Sequence, residues 1–238
     1  MTRAKAQACL VQADLVRLGA DLLGLPSERL AVTTTDAEAT IAELVGRFGA
    51  RRGSVLEGAG AMLVEAVRCT PLEAWEAEYG RLFDRDQHCP RTEGAYVRRD
   101  RGAILGDIAG FYRAFGLAID EAQGPRTPDD LVCELEFVAA LLVLVAHAEL
   151  SDDAERAAIA SDGLRSFAAE HLGDWLPAFC VRLAAVTELE LYRALAVFLE
   201  ALWEGVREFH GLEVLAGPPA EPEILDEHPM GECPVTFQ

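Results

Sequence analysis

Lysine is almost absent from this sequence of 238 residues, and basic residues as a group are outnumbered. Lys5 is the only lysine, and 40 aspartates and glutamates stand against 21 basic residues, which gives a formal charge of −19. A surface of this sign repels the phosphates of nucleic acids and of anionic membranes. The composition therefore argues against a nucleic-acid partner and favours a basic protein or peptide.

Long hydrophobic runs and closely spaced cysteines are also missing. The longest apolar run, residues 137–146, has ten residues, about half of what a helix needs to cross a membrane. Polar residues from Gln12 to Asp21 interrupt the N-terminal segment, which predicts an amphipathic helix and not a signal peptide. No two of the six cysteines are closer than twenty residues, which excludes a CxxC motif. These features predict a soluble, cytoplasmic protein that does not insert into a membrane.

Signatures of catalysis are absent as well. The sequence has no GxxxxGK phosphate loop, no HExxH zinc motif and no GxSxG elbow. It therefore predicts a protein that is not an enzyme and holds no metal or cofactor. One alternative is a metal-dependent all-α enzyme, whose ligands would come from one of two groups: His88 and Cys89 with Asp84 and Asp86, or His228, Met230 and Cys233.

Helical periodicity dominates what is present, and the alternation typical of strands is nearly absent. Three segments have the side-chain chemistry of a helix start, at Thr70-Pro71, Thr127-Pro128 and Thr187-Glu188. Gly116 and Gly211 fall where left-handed C-terminal caps are expected. The sequence predicts an all-α fold of about nine helices, at residues 3–23, 36–48, 55–68, 71–83, 101–115, 128–149, 152–171, 174–185 and 188–210.

The predicted helical domain covers residues 1–211 and has an N-terminal half, 1–119, and a C-terminal half, 128–211. Between the halves, residues 120–127 contain a glycine and a proline that interrupt any helix and predict a hinge. Residues 212–238 are rich in proline and predict a tail without a long helix. The hinge leaves a monomer and a homodimer formed by exchange of halves both open.

Acidic and aromatic residues concentrate between residues 79 and 137. Asp130 and Glu134 are four residues apart, so they share one face of the predicted helix 128–149. Glu136 has apolar neighbours on the same helix, where an unpaired charge is costly. Carboxylates beside an aromatic floor would complement two guanidinium groups next to a short apolar run.

Five blocks of sequence in this region resemble the TorD/DmsD/NarJ-like chaperones of molybdenum redox enzymes. Their order along about a hundred residues is more specific than any single block. The blocks are Tyr79-x-x-Leu82-Phe83; Cys89-Pro90-x-x-Glu93-x-x-Tyr96; Phe111-Tyr112-Arg113-Ala114-Phe115-Gly116-Leu117; Pro128-Asp129-Asp130-Leu131-x-x-Glu134-Leu135-Glu136-Phe137; and His171-Leu172-x-x-Trp175-x-Pro177-x-Phe179.

The resemblance implies an all-helical cytosolic chaperone without catalytic turnover. Its partner would be the apo catalytic subunit of a molybdopterin oxidoreductase of the DMSO reductase family, kept open for cofactor insertion. It would also bind the twin-arginine leader of that subunit before export. The residues expected to contact the client are four acids and four aromatics: Asp129, Asp130, Glu134, Glu136, Tyr79, Phe83, Tyr112 and Phe115.

The same residues also have purely structural interpretations. Asp129 and Asp130 would complement a helix dipole, Glu136 would pair with Arg113, and the aromatics would belong to the core. Asp130 stands where the family usually has a histidine, so a role that depends on an imidazole is not carried over. A further alternative is an acidic helical scaffold or regulator that binds another basic partner.

Overall fold

A computed structural model of the chain describes residues 2–45, 50–119 and 126–213, and its regular elements there are helices. The prediction of an all-α fold is confirmed. A π-helical turn, Gly80–Asp84, and a short 3₁₀ turn, Glu93–Ala95, accompany ten α-helices. The α-helices are α1 Thr2–Leu22, α2 Glu28–Asp36, α3 Glu38–Val45, α4 Ala50–Cys69, α5 Leu72–Tyr79, α6 Arg101–Ala114, α7 Leu131–Leu150, α8 Ala154–Glu170, α9 Leu172–Val186 and α10 Glu190–His210.

The short helix α2 was not predicted from the sequence. Its segment contains three consecutive threonines, whose branched side chains disfavour helices. The helix begins because the Ser27 hydroxyl accepts a hydrogen bond from the Leu30 amide at 3.2 Å. Burial of Leu30 and Thr34 then holds it in place.

Helix α7 lies at the centre of the molecule. It packs along α1 on one side and against α8 on another, while α10 contacts α4, α9 and α1. By length and composition alone, α7 is the one described helix that could cross a membrane, but most of it is buried inside the protein. The apolar run at residues 137–146 is therefore largely accounted for by a core position.

Three helix ends have the capping residues or backbone angles that their local sequence favours. Asp130 is the N-cap of α7, because its carboxylate accepts from the Val132 amide at 2.9 Å, so α7 starts at Leu131 and not at residue 128. Gly116 and Gly211 adopt φ angles of +70° and +60°, which confirms the predicted left-handed caps.

Two predicted regions fall largely outside the described residues. They are the hinge, of which residues 120–125 lie outside, and the proline-rich tail, of which residues 214–238 lie outside. The potential ligands His228, Met230 and Cys233 belong to that part of the tail.

Candidate functional site

A buried polar network connects three of the five sequence blocks, those around Glu93, Glu134 and His171. At its centre, the Glu93 carboxylate lies 2.9 Å from Nδ1 of His171, and neither side chain exposes more than 1% of its surface. The other imidazole nitrogen faces Asp107 of α6 at 3.7 Å, and Asp107 is half exposed. The 3₁₀ turn, α6 and the junction of α8 with α9 are therefore joined through His171.

Glu134, in the first turn of α7, is fully buried beside this pair. Its carboxylate accepts a hydrogen bond from the indole Nε1 of Trp175 at 3.1 Å. Burial, and next the negative charge of Glu93, raise the pKa of Glu134 well above its ordinary value. The structure thus favours a neutral Glu134, which avoids a second buried negative charge.

Asp129 holds the loop in front of α7. Its carboxylate accepts hydrogen bonds from the Thr127 hydroxyl and, at 3.4 Å, from the Gly94 amide. The Glu93 amide donates to the Asp129 carbonyl at 2.9 Å, and the Leu131 amide donates to the carbonyl of Arg91 at 2.7 Å. These bonds fix the loop around residue 93 to the start of α7.

Arg91 connects Asp130 to two of the predicted aromatics. Its guanidinium pairs with the Asp130 carboxylate at 3.3 Å and donates to the carbonyl of Leu23. It also lies over the rings of Tyr79 and Phe83, at 5.8 and 5.2 Å from their centroids. We call this arrangement of Tyr79, Phe83 and Asp130 around Arg91 the arginine cage.

The other two aromatics meet in a separate cluster. Tyr112 and Phe115 pack on the ring of Phe137, with centroids 4.9 and 5.8 Å apart. The Tyr112 hydroxyl donates to the Pro128 carbonyl at 2.9 Å. This cluster thus contacts Pro128 and Phe137, whereas the cage contacts Asp130.

A cavity of about 200 Å³ opens beside the second cluster. It is lined by Tyr112, Leu117, Ile119, Arg126, Cys133 and Glu136 among others. Glu136 is exposed at its edge, and within the described ranges it makes no ion pair with Arg113. Partial burial raises the pKa of Glu136, an effect that Arg126 opposes.

The metal alternative gains no support from the part of the chain that the structure describes. No group of three or more potential ligands converges there. Cys89 is buried while its neighbour His88 is exposed, so their side chains do not share an environment.

The predicted client contacts therefore divide into inward and outward residues. Asp129 and Glu134 are fully buried, and Asp130 and Tyr112 expose only 7% and 6%. This burial argues against direct contact of Asp129 and Glu134 with a client in this conformation. The accessible members are Tyr79, Phe83, Phe115 and Glu136.

The central network residues have no role that the amino-acid sequence alone reveals. Glu93, His171 and Trp175 stand in the sequence blocks, but charge and spacing alone did not single them out. A glutamate and a histidine 78 residues apart give no local pattern, so their pairing emerges only from the fold.

Comparison with known proteins assigns the chain to a family. Residues 53–181 match the model of the nitrate reductase delta subunit family. The chain is 32% identical over 127 residues to the perchlorate reductase assembly chaperone protein of Dechloromonas aromatica (strain RCB), covering 52% of this chain and 55% of that protein. It is 36% identical over 118 residues to the chlorate reductase assembly chaperone protein of Ideonella dechloratans, covering 48% and 59%.

The chain thus spans somewhat more than half the length of the curated relatives it matches. The matched residues include the whole network from Arg91 to Trp175 and more than half of the sequence. The resemblance seen in the sequence blocks is confirmed, and the chain belongs to the nitrate reductase delta subunit family of TorD/NarJ-like proteins.

Proposed function

We propose that this protein is a cytoplasmic assembly chaperone for the catalytic subunit of a molybdopterin oxidoreductase. It would bind the apo subunit, keep it open for cofactor insertion and catalyse no reaction itself. The observation that carries the proposal is that the buried network lies within residues 53–181, which match the family model, in a chain that is similar to two reductase assembly chaperones.

The network suits a protein that binds without catalysis. Each of its polar groups joins one helix or loop to another, and its central carboxylates and imidazole are closed to solvent. A rigid frame of this kind lowers the entropic cost of presenting a binding surface. We therefore assign the network to shaping the surface and the accessible residues to contacting the client.

We further propose that the arginine cage binds a guanidinium group of a twin-arginine leader. In the cage, the guanidinium of Arg91 already contacts one carboxylate and two aromatic rings. A guanidinium of the leader could make the same contacts. Asp130 exposes only 7% of its surface while Arg91 covers it, so a leader arginine would reach its carboxylate by displacing Arg91 and would stack on the more accessible rings of Tyr79 and Phe83.

Co-purification of the untagged protein from its own cell tests the chaperone role. We expect the catalytic subunit of a molybdopterin oxidoreductase, lacking its cofactor, to accompany the protein. Recovery of an unrelated basic protein instead would support the alternative of an acidic scaffold and contradict the proposal.

Calorimetry with an Arg-Arg leader peptide and its Lys-Lys variant tests the cage. We expect micromolar affinity for the Arg-Arg peptide, weaker binding of the variant, and weakening by salt. Asp130→Asn keeps a good N-cap but removes the charge, and should weaken binding about tenfold. Asp153→Asn, at the N-cap of α8, is the matched control and should bind as the wild type does. Equal traces for both peptides would remove leader binding and leave the chaperone role standing.

A further inference from the structure

Arg91 reaches the arginine cage from a loop and not from a helix. It lies between the π-helical turn Gly80–Asp84 and the 3₁₀ turn Glu93–Ala95. The side chains of Arg91 and Asp130 expose 14% and 10% of their surface, so their pair lies near the surface and not deep in the core. A side chain carried by a loop at this depth can leave its site through a local opening, without the unfolding of a helix.

Asp130 uses its two carboxylate oxygens for different contacts. Oδ1 accepts from the Val132 amide at 2.9 Å and caps α7, whereas Oδ2 accepts from the guanidinium of Arg91 at 3.3 Å. Withdrawal of Arg91 would therefore leave the cap of α7 in place. It would also open one carboxylate oxygen to another donor, beside the half-buried rings of Tyr79 and Phe83.

A second arginine in this region forms a much tighter pair. Arg81 donates through two nitrogens to both oxygens of Glu78, each at 2.7 Å. Two-pronged contacts of this kind between a guanidinium and a carboxylate are the strong ones. Arg91 donates to Asp130 through one nitrogen at 3.3 Å, and its guanidinium also donates to the carbonyl of Leu23. Its contact with the carboxylate is therefore the weaker of the two, and another guanidinium can compete for it.

We propose that Arg91 is an internal competitor, which closes the cage in the free protein and lowers its affinity for guanidinium groups of other chains. An external group must first displace Arg91 from Asp130 and from the carbonyl of Leu23. The observed affinity is then the intrinsic affinity multiplied by the fraction of molecules whose cage is open. That the natural ligand is a twin-arginine leader rests on the proposed function, whereas the competition itself does not.

Replacement of the competitor by a small ion tests the site directly. Arg91→Ala removes the atoms of an ethylguanidinium ion, so this ion is the probe. Ethylammonium is its control, because it has the charge but not the planar fork. At about 10 mM, ethylguanidinium should raise the thermal unfolding temperature of Arg91→Ala by about 2–4 °C. It should not stabilise the wild type, whose cage is filled by Arg91, and ethylammonium should stabilise neither protein.

Two further variants locate this effect. Arg182→Ala is the matched control, because Arg182 also donates to a backbone carbonyl of this loop, that of His88, at 3.0 Å. It should gain no stability from ethylguanidinium. Adding Asp130→Asn to Arg91→Ala keeps an N-cap for α7 but removes the charge that the probe would pair with. The double variant should therefore lose the stabilisation.

Calorimetry with the Arg-Arg leader peptide measures the competition. Arg91→Ala should bind the peptide about tenfold more tightly than the wild type, whereas Arg182→Ala should bind it as the wild type does. Arg91→Gln keeps a donor for the Leu23 carbonyl but has no charge, so it should also bind more tightly than the wild type. It takes the place of Arg91→Ala in both experiments if that variant does not fold.

The outcomes separate the competition from leader binding. If ethylguanidinium does not stabilise Arg91→Ala, or if ethylammonium stabilises it equally, the internal competitor is overturned even where the wild type binds the Arg-Arg peptide. If the wild type binds the peptide and Arg91→Ala binds it no more tightly, the competitor is overturned as well. Selective stabilisation by ethylguanidinium, with no variant binding the peptide, would support the competitor and overturn leader binding.

Discussion

Two buried glutamates avoid the cost of a buried charge in different ways. Glu93 is paired with His171 at 2.9 Å, whereas Glu134 has its carboxyl pKa raised and accepts one hydrogen bond from Trp175. Breaking a buried pair is costly because it leaves a charge without compensation, and a buried neutral acid becomes costly only when it ionises. The two residues therefore lead to opposite predictions for substitution.

Glu134→Gln should make the protein more stable at high pH. The pKa of Glu134 is higher in the folded than in the unfolded state, so its contribution is complete below the unfolded pKa and is lost as pH rises through the folded pKa. Glutamine cannot ionise, so at pH 8 the variant should exceed the wild type by on the order of 1 kcal/mol in free energy of unfolding. Urea unfolding between pH 5 and 8 measures this, with the exposed Glu57→Gln as control. Parallel pH profiles of wild type and Glu134→Gln would show that Glu134 is ionised in the folded protein.

His171→Phe should be strongly destabilising. Phenylalanine fits the aromatic surroundings of His171, which include Phe111 and Phe167. It leaves the buried Glu93 with only the more distant guanidinium of Arg99, at 3.9 Å, as an ionic partner. We expect a loss of about 3–5 kcal/mol in free energy of unfolding. Adding Glu93→Gln should restore part of that loss, because the uncompensated charge is removed. Denaturant unfolding of both single variants and the double variant checks this, and strictly additive losses would refute the coupling.

At the scale of elements, the positions of helices were more predictable than their first residues. The pattern at Thr187-Glu188 suggests a capping box, yet α10 begins at Glu190 without a side-chain cap. The Thr187 hydroxyl donates to Glu78 at 2.8 Å instead, because this buried carboxylate also binds Arg81 and needs donors. Tertiary contacts therefore overrode the local pattern, and nothing in the sequence near Thr187 identifies Glu78 as its partner.

Two glycines of α4 separate the effect of helix propensity from that of packing. A Cβ atom on Gly60 would lie 2.8 Å from two carbons of Ile41, whereas one on Gly58 meets nothing within 4 Å. Ile41 is buried between α3 and α4, and its branched side chain has little freedom to move. We expect Gly60→Ala to cost about 1–3 kcal/mol and Gly58→Ala to stabilise by about 0.5–1 kcal/mol.

Thermal unfolding followed by circular dichroism measures both glycine variants under the same conditions. The two substitutions are identical in chemistry and lie two residues apart on one helix. A stabilising Gly60→Ala would mean that α3 and α4 do not approach as closely as these distances require.

At the scale of the whole molecule, the sequence predicted the class of fold and the region of the site but not the orientation of its residues. The spacing of Asp130 and Glu134 correctly places them on neighbouring turns at the start of α7. Whether that face meets solvent depends on Trp175 and Glu93, which come from distant parts of the chain. Composition and periodicity carry no information on such contacts, and an acidic residue is interpreted by default as exposed.

The boundary of the helical domain leads to a last prediction. We propose that residues up to Glu213 fold without the proline-rich tail, with the boundary slightly later than residue 211. Leu212 is only 6% exposed and its amide donates to the carbonyl of Arg207 at 2.9 Å, next to the left-handed Gly211. A chain that ends at Glu213 should therefore unfold at nearly the same temperature as the full chain.

A chain that ends at His210 should be clearly less stable, because it loses both the cap and the buried leucine. Burial of one leucine is worth about 1.5–3 kcal/mol, so the free energy of unfolding should fall by about that amount. Calorimetry of the full chain and both truncated chains checks this. A fall of similar size on removing residues 214–238 alone would show that the tail contributes to the stability of the helical domain and belongs to the same folding unit.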